Sequence, residues 1–390
     1  MLRLAIIRQR YTPYGGAERF VEAALEALLE RGVAISLYTR EWPQTRLQLI
    51  EPVLCDPFYI GRLWRDWSFA RAVCRAVTQK APELVQSHER LLCCDVYRAG
   101  DGVHRTWLDE RLRSASALRR WVTAVSPYHR YVLATERRLF ASPLLKAVIC
   151  NSRMVREDIR TRFALPDDRL PVVYNAVDSD SFSPALRAHR DPMRKMLGIP
   201  QEATVFLLVG SGYVRKGVAA ALTALSRLPD SAHLLVVGYD KARRHYKRLA
   251  RQLGIASRVS LVGAQADPKP FYGAADVFVL PTLYDPCPNA ALEAMACGLP
   301  VITSTKCGAA ELVTDHDAGF VCDARDLDAL TAHMSMLTDL HARTGRGERA
   351  REAVLPLTPE AMTLQLALLY RDLLAAAHAA RTELPKTAAL

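Results

Sequence analysis

Thr204-Val-Phe-Leu-Leu-Val209 runs directly into Gly210-Ser-Gly212-Tyr-Val-Arg215-Lys216-Gly217. Six residues of mostly apolar character closed by glycine read as a buried strand, and the turn after it feeds a helix predicted over Lys216–Arg227. Downstream the alternation continues with strands at Leu234–Val237, Val259–Val262, Val277–Leu280 and Val301–Thr303 and helices at Arg243–Leu253 and Asn289–Ala296. Apolar strands alternating with helices specify a parallel sheet covered on both faces. Upstream the same rhythm gives a strand at Leu4–Ile7, a turn at Pro13–Gly16, an amphipathic helix Ala17–Arg31 stopped by Gly32, and a strand at Val33–Tyr38. Leu84–Ser87 and Ala147–Cys150 are further strands, with an arginine-rich helical stretch near Leu112–Ala141 between them. Two such α/β halves predict two doubly wound, Rossmann-like domains facing a cleft, with ligands beyond the carboxyl ends of the strands.

The chain has 390 residues, 52 Lys+Arg against 41 Asp+Glu, and a formal net charge of +11. That length suits two domains with separate cores, and the composition excludes disorder, a collagen-like fibre and a small disulfide scaffold. No run approaches the roughly 18 apolar residues of a membrane span, and residues 1–9 lack a signal-peptide layout. Nine cysteines without a CxxC pair read as reduced thiols of a cytoplasmic protein, the vicinal Cys93–Cys94 being filler. The charge is one-sided: 28 Lys+Arg and 19 Asp+Glu precede residue 176, against 24 and 22 after it. Nine arginines and no lysine fall between Arg98 and Arg138, interleaved with Trp107, Trp121, Tyr128 and Tyr131. Such a run is either a set of solvated helix faces or a surface for anionic lipid headgroups or a phosphorylated acceptor, and the imbalance between the halves favours the surface. No nucleic-acid partner is expected, because no matching motif accompanies the charge.

Three motifs fall at strand ends. Tyr14-Gly15-Gly16-Ala17-Glu18 follows the first strand, where two glycines let backbone amides approach an anion at a helix N-terminus. In the Gly210–Gly217 stretch, Arg215 replaces the third glycine of a dinucleotide fingerprint, and no Lys-Ser/Thr ending makes it a P-loop. Two adjacent cations over a glycine-rich turn suit a diphosphate whose charge grows as it leaves. The most informative segment is Pro281-Thr-Leu-Tyr-Asp285-Pro-Cys-Pro288-Asn289-Ala290-Ala-Leu-Glu293. Pro288 suits the first helical position, so amides near Asn289 and Ala290 face the cleft as anion donors. Asp285 precedes that helix and Glu293 lies within it, so they touch different parts of one molecule, and a carboxylate accepts well from vicinal hydroxyls.

On these residues the chain resembles glycosyltransferase family 4, the retaining nucleotide-sugar transferases of the GT-B fold. Within that family it looks most like the bacterial lipopolysaccharide core glucosyltransferases that use UDP-glucose. The resemblance covers most of the chain and is densest from Val205 to Cys322. Upstream it is carried by Pro13–Arg19, Val96–Trp107, Cys150–Arg153 and Val172–Pro184. It implies that Glu293 holds the donor ribose, Asp285 the hydroxyls of the transferred sugar, and Arg215 and Lys216 the diphosphate. Gly15 and Gly16 would approach the diphosphate and the acceptor from the other domain, while Asp101, in Ala99-Gly-Asp-Gly-Val-His104, would sit near the reacting carbon with His104 beside it. The family usually carries Glu where Asp285 stands, one methylene longer.

The implied domains are residues 1–175 for the acceptor, 176–355 for the nucleotide sugar, and 356–390 as a helix returning toward the first domain. The implied activity moves a hexose, glucose from UDP-glucose, to a heptose of a lipid-linked lipopolysaccharide core acceptor. It would proceed without metal or other cofactor at the anionic inner face of the cytoplasmic membrane. A GDP-mannose or UDP-N-acetylhexosamine transferase of exopolysaccharide or glycolipid synthesis is the nearer alternative, and a sugar-nucleotide epimerase on the same fold the more distant one. Asp178-Ser-Asp180 spells a metal-holding DxD but falls in the segment between the halves, and the histidines show no ligand spacing. His88 and His129 read as polar surface or cleft-wall residues rather than catalysts.

Overall fold

The computed structural model describes residues 3–10, 33–41 and 50–382. The turn carrying Gly15 and Gly16 and the helix expected over Ala17–Arg31 lie outside the described residues. Twelve strands are described: β1 (Arg3–Ile7), β2 (Ala34–Thr39), β3 (Glu51–Leu54), β4 (Leu84–Ser87), β5 (Val96–Arg98), β6 (Ala147–Ile149), β7 (Thr204–Val209), β8 (Ala232–Val237), β9 (Val259–Gly263), β10 (Val277–Leu280), β11 (Val301–Ser304) and β12 (Gly319–Cys322). They form two six-stranded parallel sheets, ordered β3-β2-β1-β4-β5-β6 and β12-β11-β10-β7-β8-β9. Both are the Rossmann order, so the order in which strands are added reverses between β1 and β4 and between β7 and β10, where such folds open a crevice. The twin doubly wound architecture expected from the alternation is the one the chain adopts.

Side chains of β1 show why its strand is apolar throughout. Leu4 and Ile6 enter a core that also holds Ile35, Leu84 and Val96, whereas Ala5 and Ile7 enter the core on the other face with Phe69, Val73 and Val148. The first of these cores is completed by the last helix, Pro359–Thr382, through Met362, Leu366 and Tyr370. Tyr370 is fully buried and donates to Gln86 Oε1 at the end of β4 at 2.5 Å.

Two predicted helices are divided. The stretch near 112–141 is three helices, His104–Leu112, Ala117–Val125 and Pro127–Phe140. Ser116 caps the second by accepting from the Arg119 amide, and Pro127 forces Ser126 into an extended conformation that ends it. The helix expected from Lys216 breaks at Gly217 into Tyr213–Lys216 and Val218–Leu225. Gly217 has φ +76°, and a β-carbon there would stand 1.9 Å from the Pro281 carbonyl oxygen, so glycine is what lets this turn meet the end of β10. The expectation of uniformly reduced thiols is corrected as well. Cys74, on helix Gly61–Lys80, and Cys93, after β4, form a disulfide with their Cα atoms 5.6 Å apart. Helix packing brings together cysteines that no short motif links, and cysteine usage therefore gives no argument for a reducing compartment. The other seven cysteines are free and buried.

Candidate active site

Three loops at the carboxyl ends of β7, β10 and β11 are lashed together by their backbones. The Arg215 carbonyl accepts from the Leu283 amide at 2.8 Å and from Thr282 Oγ1 at 2.9 Å. Asp285 donates its amide to the Lys306 carbonyl at 2.9 Å, and its own carbonyl accepts from Gly308 at 2.8 Å. This scaffold fixes a compact ionic cluster: Asp285 Oδ2 accepts from Lys216 Nζ at 2.6 Å and from Arg215 Nη1 at 2.9 Å. Lys216 and Asp285 are buried, while Arg215 is 39% exposed at its side chain. Burial opposes ionisation of Asp285, but the Lys216 and Arg215 cations outweigh it and hold the carboxyl below the usual aspartate range.

Glu293 lies one turn beyond Asn289 on helix Asn289–Ala296 and is also buried. Its Oε2 accepts from Tyr272 Oη at 2.7 Å, and the same hydroxyl reaches the Ala290 carbonyl at 3.3 Å. Asn289 is the near end of a polar chain across the domain junction. Arg98 donates to Asn175 Oδ1 at 2.7 Å, and Asn175 Nδ2 donates to Asn289 Oδ1 at 2.6 Å and to the Cys287 carbonyl at 3.0 Å.

Opposite stands the turn after β5. Asp101 is exposed there, and Gly102 has φ +65° with Tyr284 Oη 2.2 Å from where a β-carbon would lie. Tyr284 Oη accepts from the buried Val103 amide at 2.9 Å and donates to Asp158 at 3.2 Å, tying the two halves together. His104 and His129 approach ring nitrogen to ring nitrogen at 3.1 Å, and His104 stacks on Trp107. Burial, then Arg90 and His129, push the His104 pKa down to about 3, so this imidazole is neutral.

A cavity of about 940 Å³ runs between these walls. Arg8, Arg62, Arg90, Arg98 and Arg111 line it from the first half and Arg215 from the second, with His88, His104 and His129 among them. Asp101, Asp285 and Asn289 reach its surface; Lys216 meets it through Asp285, and Glu293 lies behind Asn289. Of the residues singled out by sequence, Arg215, Lys216 and Asp285 form one contact group, Asn289, Ala290 and Glu293 share one helix, and Asp101 and His104 occupy the facing wall. Gly15 and Gly16 lie outside the described residues. Asp178 instead caps its own turn, accepting from the amides of Asp180 and Ser181 at 3.2 and 2.9 Å. Sequence reasoning gave no role to Tyr284, Asn175 or Arg62: the first two fall inside quoted stretches but contribute only through contacts between distant segments, and Arg62 lies outside every motif. Arg98 and Arg111 belong to the arginine run that it did single out.

Comparison with known proteins places both halves. The model of Glycosyltransferase Family 4 matches residues 14–181, and that of Glycosyl transferases group 1 matches residues 189–353. The lipopolysaccharide glucosyltransferase WaaG of Escherichia coli is 24% identical over 82% of this chain and 84% of its own. The lipopolysaccharide core biosynthesis glycosyltransferase LpsE of Rhizobium meliloti is 32% identical over 41% of this chain, and the match spans about half of LpsE (47%). The crystal structure of WaaG superimposes with a TM-score of 0.80 at 24% identity, covering 93% of this chain and 98% of WaaG. That of Anabaena HepE with UDP-glucose gives 0.72 at 18% identity, covering 95% and 100%.

Proposed function

The chain belongs to the glycosyltransferases and is a hexosyltransferase of GT-B type, and from that premise we propose that it transfers glucose from UDP-glucose, with retention, to a heptose of a lipid-linked lipopolysaccharide core acceptor. The observation that carries the reading is the cluster of Arg215, Lys216 and Asp285 at three joined strand ends, facing the other domain across the cavity. Residues 176–355 take the nucleotide sugar: Glu293 holds the ribose, the amides at Asn289 and Ala290 the phosphate, and Asp285 the hydroxyls of the sugar. Arg215 and Lys216 neutralise the diphosphate as the glycosidic C–O bond breaks, so the reaction calls for no metal. The acceptor hydroxyl forms the new C–O bond on the face the diphosphate leaves, and a leaving phosphate oxygen takes its proton. Asp101 orients the acceptor from the facing wall, with His104 as its uncharged neighbour.

WaaG is a lipopolysaccharide glucosyltransferase, and HepE has been solved with UDP-glucose; both support this choice of donor. The acceptor belongs to the first half, residues 1–175, where the positive charge is concentrated. The helix Ala117–Val125 buries none of its residues and presents Leu118, Trp121, Val122 and Val125 on one face beside Arg119 and Arg120. An exposed apolar stripe flanked by arginine fits the surface of an anionic membrane. No helix among the described residues is long and apolar enough to cross one.

A thermal-shift panel of UDP, GDP, ADP, TDP and NAD on wild type and Glu293→Ala tests the donor assignment. UDP at 100 times its dissociation constant stabilises by about 2.7 kcal/mol, a midpoint rise of roughly 5–10 °C for a domain of this size. The expected result is a rise with UDP that Glu293→Ala loses. A rise with GDP instead moves the donor to GDP-mannose, and a rise with NAD alone removes the transferase site.

A further inference from the structure

The charges around the cavity do not balance. Arg90 is paired with Glu136 at 3.2 Å, Arg8 with Glu89 at 3.7 Å, and Arg215 with Asp285. Arg62 and Arg111 also line the cavity, yet neither makes an ion pair among the described residues. Arg62 opens the helix Gly61–Lys80, and Arg111 comes from the last turn of His104–Leu112, with its guanidinium 5.0 Å from the Trp107 ring centroid. Burial first, and then the positive charges of Arg111 and Arg62, lower the pKa of His129, which lines the same cavity. His104, His129 and Trp107 line the same cavity and form an aromatic wall with ring centroids 5.3–6.0 Å apart. Ser126 and Tyr128 add hydroxyl-bearing side chains to the same lining.

An arginine held on an aromatic face and left without a carboxylate presents its planar fork to a phosphate or carboxylate of a ligand. Arg111 on the Trp107 face, with Arg62 as a second cation lining the same cavity, makes a place beside the rings for a sugar whose apolar face stacks while its anionic substituent is gripped. We propose that Arg62 and Arg111 form a subsite for an anionic group, phosphate or carboxylate, carried by the acceptor saccharide, with Trp107, His104 and His129 as the platform for its ring. This rests on reading the first half as the acceptor side, and it makes an anionic acceptor the preferred class. It also separates these two arginines from the exposed Arg119 and Arg120, which are not among the residues lining this cavity.

The test titrates the full chain, saturated with UDP, with mannose, mannose 6-phosphate and glucuronate. The wild type should bind one or both charged sugars about tenfold or more tightly than mannose, the worth of one charge-assisted contact. Arg62→Gln and Arg111→Gln, each at or near the surface and checked for an unchanged melting midpoint, should abolish the difference. Preference for mannose 6-phosphate alone identifies phosphate as the group, and preference for glucuronate alone identifies carboxylate. Equal binding of charged and neutral sugars, or charged-sugar binding untouched by both substitutions, overturns the subsite. Loss of UDP affinity in the variants would assign the arginines to the donor diphosphate, and loss of binding to phosphatidylglycerol vesicles would assign them to lipid headgroups; either overturns it. Failure of the nucleotide panel would sink the donor assignment, whereas an intact UDP response without charged-sugar preference sinks the subsite alone.

Discussion

Asp285→Asn keeps the shape of the side chain and removes one charge from a cluster of three. In the wild type the Lys216 and Asp285 side chains are each 8% exposed and 2.6 Å apart, so the pair is buried. Breaking a buried pair by removing one partner costs about 3–5 kcal/mol, because the other charge is left without its counterion. The Asn carbonyl still accepts from Lys216, and the 39% exposed Arg215 is screened by water, which places the cost near the lower end, about 3 kcal/mol. For a domain of this size the melting midpoint should fall by roughly 6–12 °C. The pH dependence has a fixed sign. The folded pKa of Asp285 is lowered from 3.8, so its stabilisation is complete above the unfolded value and is lost as pH falls through the folded one. The gap between wild type and variant should therefore be full at pH 7 and narrow only below about pH 3.8. UDP should close the gap at neutral pH, since its diphosphate supplies to Arg215 and Lys216 the negative charge that Asn lacks. Scanning fluorimetry of both proteins with and without saturating UDP measures all three effects. A gap that UDP leaves unchanged would refute the assignment of these cations to the diphosphate.

The domain junction offers a second prediction. Gly102→Ala adds a β-carbon 2.2 Å from Tyr284 Oη at φ +65°, which costs about 1–2 kcal/mol in the backbone and about 1–3 kcal/mol more through loss of the Val103–Tyr284 hydrogen bond. In denaturant titrations the double variant with Tyr284→Phe should cost less than the sum of the two, and strict additivity would show that the clash does not act through that hydroxyl. At the surface, Leu118→Ala with Trp121→Ala, both more than 60% exposed, should weaken partition onto anionic vesicles about tenfold or more while leaving the UDP shift intact. Unchanged partition would remove that face from membrane contact.

Strong apolar runs made most strands legible: Leu84–Ser87, Thr204–Val209 and Val277–Leu280 have the bounds their sequence suggests, as does helix Asn289–Ala296. The strands that escaped notice are short or weakly patterned. β5 has three residues, β3 is an edge strand carrying Pro52 and largely exposed, and β12 opens on a glycine. Helix breaks at Gly217 and Ser126 were hidden because local periodicity continues across them, whereas the reasons for breaking are a distant carbonyl in one case and a following proline in the other.

By itself, the sequence determined two parallel sheets and the kinds of residue at their strand ends, because burial on both faces and turn chemistry are local properties. It marked Arg215, Lys216, Asp285 and Glu293 as residues with chemistry. Only the tertiary structure decided their relations: that Lys216 and Arg215 share one oxygen of Asp285 whereas Glu293 is held by Tyr272. It also decided which members of a long arginine run line the cavity and which stay on helix faces, and it joined Cys74 to Cys93. Those outcomes depend on distances between segments far apart in the chain, and such distances are set by how the layers pack rather than by any spacing along it.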